Sequence, residues 1–231
     1  MRCNPVKGYD FIKTGGRDSG PDLLYFERSL WDQDLNPVAG LDEVGRGCLA
    51  GPVVAAAVIL SPDIHLPGVR DSKALSSKQR KVLNVAIREK ALAVSVAQVE
   101  SAEIDRINIL KASLKAMAQA VDSLDLRPRA LLIDGNQPIP HILPQKTLVK
   151  GDQRSLSVAA ASIVAKVFRD SLMEEMHQHF SHYNFAGNKG YPTLEHRKAI
   201  KLYGCCPIHR KTFKGVREYT TIHNATLNGE P

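Results

Sequence analysis

Four carboxylates stand in this chain where a lone charge is poorly placed. Asp42 and Glu43 close the apolar run that begins at Val38, and Asp134 closes Leu131-Leu132-Ile133. Asp170 falls on the helical stripe traced by Leu156, Ala160, Ile163 and Val167. A charge on an apolar stripe calls for a partner or a metal ion. Taken singly, each acid has a plainer reading: solvated turn residues at Asp42, Glu43 and Asp134, and an ion pair with Lys166 or Arg169 at Asp170. Taken together, they would form a strongly negative hollow that two divalent cations neutralise. Oxygen-only donors favour Mg²⁺ or Mn²⁺, whereas zinc normally recruits His or Cys.

Two further segments suit a polyanion. Gly45-Arg46-Gly47 flanks a guanidinium with two positions where backbone can approach a ligand closely, and its plainer reading is a hairpin loop of unusual torsions. Asn188-Lys189-Gly190-Tyr191-Pro192 sets a cation and an aromatic on one constrained turn, with Tyr191 suited to stacking on sugar or base or simply to packing on the surface. Asp71-Ser72-Lys73 offers a hydroxyl and an ammonium, or a plain helix entry. No phosphate-binding loop, dinucleotide fingerprint, nucleophile elbow or His-Glu-x-x-His zinc motif occurs. The adjacent Cys205 and Cys206 lack zinc-site spacing.

Elements able to hold these residues follow from the apolar pattern. Val38–Glu43 and Val53–Leu60 read as neighbouring strands joined by a long loop, and Ala91–Val99 as a third. A helix is expected over Ser76–Glu89, capped by Ser77, and a longer one over Glu103–Leu124. Ala130–Ile133 and Gln145–Val149 read as strands, and Ser155 to about Phe180 as a long helix. The order predicts an α/β fold, one mixed sheet flanked by helices, with a helical and loop-rich C-terminal extension. Residues 1–37 read as a leader containing one short helix, 38–182 as the catalytic core and 183–231 as a basic extension.

The chain has 231 residues, which fits one ordinary domain with an appendage. With 43% hydrophobic and 24% charged residues it can bury a core. Residues 185–231 hold eight Lys or Arg against three acids, most of the overall charge of +7, so the basic character is local and favours nucleic acid. No apolar run is long enough to span a bilayer, and Met1–Phe11 lacks the apolar centre of a secretory signal, so a cytoplasmic monomer with no membrane partner is expected. Four cysteines without a disulfide pattern should be free thiols.

The ordered set Gly40-Leu41-Asp42-Glu43-Val44-Gly45-Arg46-Gly47, Asp71-Ser72-Lys73, Ile133-Asp134-Gly135, Ser157 through Asp170, Gly190-Tyr191-Pro192-Thr193 and Pro207-Ile208-His209-Arg210 resembles the bacterial ribonuclease HII family. The resemblance implies a ribonuclease H-like domain in which Asp42, Glu43, Asp134 and Asp170 bind the catalytic metal, two Mg²⁺ or Mn²⁺ ions. It implies that Gly45, Arg46 and Gly47 recognise the ribonucleotide, that Tyr191 packs on the neighbouring deoxyribose, and that Ser72 and Lys73 lie near the substrate backbone. The implied substrates are RNA/DNA hybrid and duplex DNA containing ribonucleotides, cut on the 5′ side of the ribonucleotide to leave 3′-hydroxyl and 5′-phosphate ends. Two alternatives stay open: a DNA-only nuclease of the same architecture, and a noncatalytic duplex-binding protein.

One geometric demand follows whichever holds. Adjacent residues of a regular strand point to opposite faces, so for Asp42 and Glu43 to share a site the strand must end or twist there, or one acid must reach around its edge.

Overall fold

A computed structural model describes residues 22–69 and 75–220. Ser72 and Lys73, singled out above, lie outside the described residues, as does Cys3.

Five strands form one mixed sheet in the order β3-β2-β1-β4-β5, with β1 at Val38–Val44, β2 at Val53–Ile59, β3 at Ala93–Val99, β4 at Ala130–Asp134 and β5 at Gln145–Leu148. β2 runs antiparallel to both β1 and β3, while β4 lies parallel to β1 and β5 parallel to β4. β1 is therefore the central strand, and the parallel β1–β4 pair brings Asp42 and Asp134 to the same end of the sheet.

Both faces are covered, which is why β2 is apolar at every position. Val53, Ala55, Ala57 and Ile59 join the core beneath α4 (Ile109–Asp122), together with Ala39 and Leu41 of β1. Val54, Ala56 and Val58 join the opposite core beneath α5 (Leu156–His179) and α2 (Ser77–Lys90). α5 meets β1 through very small residues. A Cβ on Gly40 would stand 2.2 Å from the Ser157 carbonyl carbon, so only glycine permits this helix-to-strand distance.

The helix expected over 103–124 is two. α3 (Ser101–Ile107) ends at Asn108, whose φ of 72° interrupts the helix and whose side chain accepts from the Lys111 N–H to cap α4. Asparagine tolerates the left-handed conformation and is a strong cap, so the apolar spacing continues across a break that it does not reveal. The cap of α2 is Ser76 rather than Ser77, and it forms a reciprocal box with Gln79.

Ahead of the sheet, α1 (Tyr25–Trp31) lays Phe26, Leu30 and Trp31 against Val38, Leu132 and Leu148. Its Glu27 is 1% exposed and accepts hydrogen bonds from the Ser155 hydroxyl, the Ser157 hydroxyl and the Ser157 N–H at 2.7, 2.7 and 2.9 Å. A carboxylate thus sits on the first turn of α5, where orphan N–H groups and the helix dipole both favour it.

Beyond α5, α6 (Phe185–Asn188) and α7 (Leu194–Tyr203) build a small core of Tyr183, Phe185, Ile200 and Val216 around Met173 of α5 and Leu49–Ala50 of the loop after β1. Ala50 pairs with His209 as an isolated bridge. The extension is thereby fixed to the loop that carries Gly45-Arg46-Gly47. Among the described residues no helix is long and apolar enough to cross a membrane, and Cys48, Cys205 and Cys206 are free thiols.

Candidate active site

Three of the four carboxylates, Asp42, Glu43 and Asp134, meet where β1 and β4 end. β1 neither stops nor loses its register at the two adjacent acids: Asp42 pairs with Ala56 and Glu43 with Ala55. Asp42 faces α5, where Ser162 hydrogen-bonds it, whereas Glu43 points to the α4 side beside Leu110 and Ser113. Glu43 nevertheless lines the same cleft as Asp42, so of the three ways to share a site the edge is the one used. That cleft, of about 300 Å³, is bordered by Asp42, Glu43, Asp134, Arg46, Lys166 and Tyr191.

Charge is concentrated there. Burial pushes the Asp42 carboxyl well above the ordinary carboxylate range, and the nearby charges of Glu43 and Asp134 push it further. Burial also raises Glu43, opposed by the Arg46 guanidinium 3.0 Å away. Asp134 is oriented by the Gly151 N–H, which donates to its Oδ1 at 2.7 Å.

Asp170 joins the site by way of a cation. Lys166, one turn earlier on α5, lines the cleft and places its ammonium 2.7 Å from Asp170 Oδ1, and Arg80 of α2 stands 3.9 Å from Oδ2. The ion pair with Lys166 expected as the plain reading of Asp170 is therefore present. Asp42, Glu43 and Asp134 share the cleft wall, while Asp170 is not part of that wall.

Among the described residues no three Asp, Glu, His or Cys side chains make a finished metal cage. The donor set still fits a hard divalent cation. It is all oxygen, and the burial and neighbouring charges that raise the Asp42 carboxyl are opposed by a bound cation.

The glycine loop divides its labour. Gly45 has φ +95°, and a Cβ there would stand 2.3 Å from Arg169 Nε, so its bareness serves the protein's own interior. Gly47 has nothing within 4 Å of a would-be Cβ, leaving open space for a ligand. Tyr191 is 37% exposed, lines the cleft, hydrogen-bonds Cys48 and has the Lys166 ammonium 5.6 Å from its ring centre.

Its backbone is fixed by a buried imidazole pair. His196 Nδ1 lies 2.9 Å from the Tyr191 carbonyl, His196 Nε2 lies 3.0 Å from His209 Nε2, and His209 Nδ1 accepts from the Cys206 N–H. A carbonyl can only accept, so His196 carries its proton on Nδ1 and His209 on Nε2. Burial depresses the basicity of both, that of His209 to about 3.

Sequence reasoning did not single out Ser162, Arg169 or Arg210 as site residues. Ser162 lies eight residues before Asp170 and faces a different carboxylate. Arg169 and Arg210 are wholly buried and bind backbone carbonyls, which no residue pattern announces.

Comparison with known proteins finds relatives over most of the chain. The family profile described as Ribonuclease HII matches residues 39–216. A Ribonuclease HII of Geobacter metallireducens is 56% identical over 200 residues, covering 84% of this chain and 94% of that protein. One of Syntrophotalea carbinolica is 53% identical over 196 residues, covering 85% and 94%. The crystal structure of ribonuclease H2 from Pyrococcus horikoshii superposes with a TM-score of 0.67 at 27% identity, covering 81% of this chain and 98% of that one.

Proposed function

The chain belongs to the ribonuclease HII family, and from that premise we propose that Asp42, Glu43, Asp134 and Asp170 are its metal-binding catalytic group. It is a metal-dependent endonuclease that hydrolyses ribonucleotide-containing duplexes. The cut falls on the 5′ side of the ribonucleotide, in RNA/DNA hybrid or in duplex DNA, and leaves 3′-hydroxyl and 5′-phosphate ends.

The assignment of the four acids rests on one observation above the others: a buried Asp42 whose charge is opposed by Glu43 and Asp134 in a cleft also lined by Gly47 and Tyr191. When bound, a pair of Mg²⁺ or Mn²⁺ ions supplies the positive charge that activates water and stabilises the departing 3′ oxygen. Asp42, the most buried of the acids on the cleft wall, would hold the ions together with Glu43, Asp134 and Asp170, their carboxylates balancing the cationic charge. Ser162 and the Gly151 N–H hold Asp42 and Asp134 in fixed rotamers.

Recognition belongs to the loop and the tyrosine. Backbone at Gly47 comes close to the ribose and senses its 2′-oxygen, Arg46 meets the adjoining backbone, and Tyr191 packs on the next sugar. Base identity then matters little. The test is cleavage of matched duplexes holding zero, one or several ribonucleotides, with and without each cation. Cleavage that requires both a ribonucleotide and Mg²⁺ or Mn²⁺ is expected. Equal cutting of all-DNA duplex would indicate a DNA-only nuclease, and cation-independent binding without cutting a noncatalytic binding protein.

A further inference from the structure

We infer, resting on that reading of the Gly45–Gly47 loop, that the buried guanidiniums of Arg169 and Arg210 are positioning residues that set the selectivity of the cleft for a ribonucleotide. Both side chains are 0% exposed, and neither forms an ion pair among the described residues. Every acceptor that they have is a backbone carbonyl. Arg169 donates to Pro52, Ala50 and Lys189 at 3.0, 3.0 and 2.8 Å, and Arg210 to Gly51 and Arg46 at 3.0 Å each.

These carbonyls belong to two separate segments that face the substrate. Arg210 ties Gly51 to Arg46 and so closes the loop upon itself. Arg169 ties Ala50 and Pro52 to Lys189, on the turn before Tyr191. Leu49 adds a backbone bond to the Gly190 carbonyl at 2.8 Å. Two surfaces that must measure one sugar between them, Gly47 and Tyr191, are in this way held against a common pair of rigid forks.

The bond from Arg210 also orients a donor. In a trans peptide the carbonyl and the following N–H point in opposite directions. With the Arg46 carbonyl drawn inward to Arg210, the Gly47 N–H is directed away from that guanidinium, and among the described residues it donates to no protein acceptor. A free, outward N–H beside open space at Gly47 matches the need to detect one extra oxygen on the sugar.

Space filling alone does not account for a cation here. Burying a charge without a counter-ion is unfavourable, and an apolar side chain of similar volume would fill the space but leave these carbonyls without a donor. Burial lowers Arg210 only to about 10, so it stays charged at neutral pH. What lysine or methionine lacks is the planar fork that reaches two carbonyls at once.

Arg169 precedes Asp170, so Arg210 carries the experiment. Arg210→Lys and Arg210→Met are compared with the parent and with Arg46→Ala, measuring kcat and KM on a single-ribonucleotide duplex, affinity for the all-DNA duplex of the same sequence, and thermal melting. In Arg210→Lys, KM should rise about tenfold with kcat within about twofold, because ground-state placement is lost and metal chemistry is not. Affinity for all-DNA duplex should stay within about twofold, since Lys and Arg contacts to phosphate from the surface are untouched. A lower melting temperature with parental KM in Arg210→Lys, or an equal fall in affinity for both duplexes, would overturn the brace. Parental KM together with parental affinity for the all-DNA duplex in Arg46→Ala would instead overturn the underlying reading of the loop. Should Arg210→Met fail to fold, the lysine variant alone decides.

Discussion

Lys166 holds Asp170 at 2.7 Å from a position that also borders the cleft, so a protein cation occupies the partner role that a divalent ion would take at this carboxylate. Removing the ammonium removes a competitor. For a partly exposed pair worth about 1 kcal/mol, Lys166→Gln should bind Mn²⁺ about fivefold more tightly in the absence of nucleic acid. Calorimetric titration checks this, and unchanged or weaker Mn²⁺ binding would remove Asp170 from the coordinating set.

Asp134→Asn and Asp170→Asn should each lower turnover by more than about 100-fold while duplex affinity falls by less than about threefold. On the proposed assignment each exchange deletes one coordinating charge and leaves the basic surface intact. Separate measurement of single-turnover cleavage and of duplex binding in Ca²⁺ distinguishes the two effects, and normal cleavage by both variants would refute their assignment.

The two loop glycines should respond in opposite ways. Gly45→Ala forces a Cβ into Arg169 Nε and strains a φ of +95°, so it should destabilise the fold by about 2–4 kcal/mol. Gly47→Ala meets no protein atom within 4 Å and should leave stability within about 1 kcal/mol while impairing cleavage at a ribonucleotide. Urea denaturation beside an activity assay separates the pair. Equal destabilisation by both would contradict the division of roles.

Much of the fold, and the acids proposed for the site, can be read in the sequence. Asp42 and Asp134 stand out by closing apolar runs and Asp170 by falling on an apolar helical stripe, and the α/β order follows from strand and helix spacing alone. The edge solution for Asp42 and Glu43 was one of three that strand geometry allows, and choosing among them requires the register of β1 against β2. The break at Asn108 was hidden because the apolar spacing runs through it. Arg169 and Arg210 were illegible for another reason: their acceptors are main-chain carbonyls, and Arg210 reaches back to Arg46, 164 residues earlier.

Stability should depend on pH through Asp42. Its folded carboxyl is held well above the usual range by burial and by two neighbouring charges, so the folded state keeps a proton that the unfolded chain releases near 4. Stability is therefore lost as pH rises above that value. Asp42→Asn, free of this penalty, should melt a few degrees higher than the parent at pH 8 without divalent cations, and the gain should shrink toward pH 4. A gain independent of pH would point to packing instead.

His209 acts with the opposite sign. Burial, then the neighbouring His196, hold its basicity down to about 3, so the folded state carries it neutral while the unfolded chain takes up a proton near 6.5. Stability is whole above about 6.5 and falls as pH drops toward 3, by at most about 1.4 kcal/mol per pH unit. Denaturant melts of the parent and of His209→Gln at pH 7.5, 6 and 5 should converge in acid. Parallel curves would exclude His209 as the source.

The three bonds that Glu27 accepts have a practical implication for anyone who shortens this chain. The family match starts at residue 39, which invites trimming everything before Pro37 as dispensable. Such a cut would delete the acceptor of the Ser155 and Ser157 hydroxyls and of the Ser157 N–H, together with the Phe26 and Trp31 side chains that lie on the sheet. The helix bearing Asp170 would then begin on unanswered donors, and an inactive truncate would report a loosened scaffold rather than anything about catalysis.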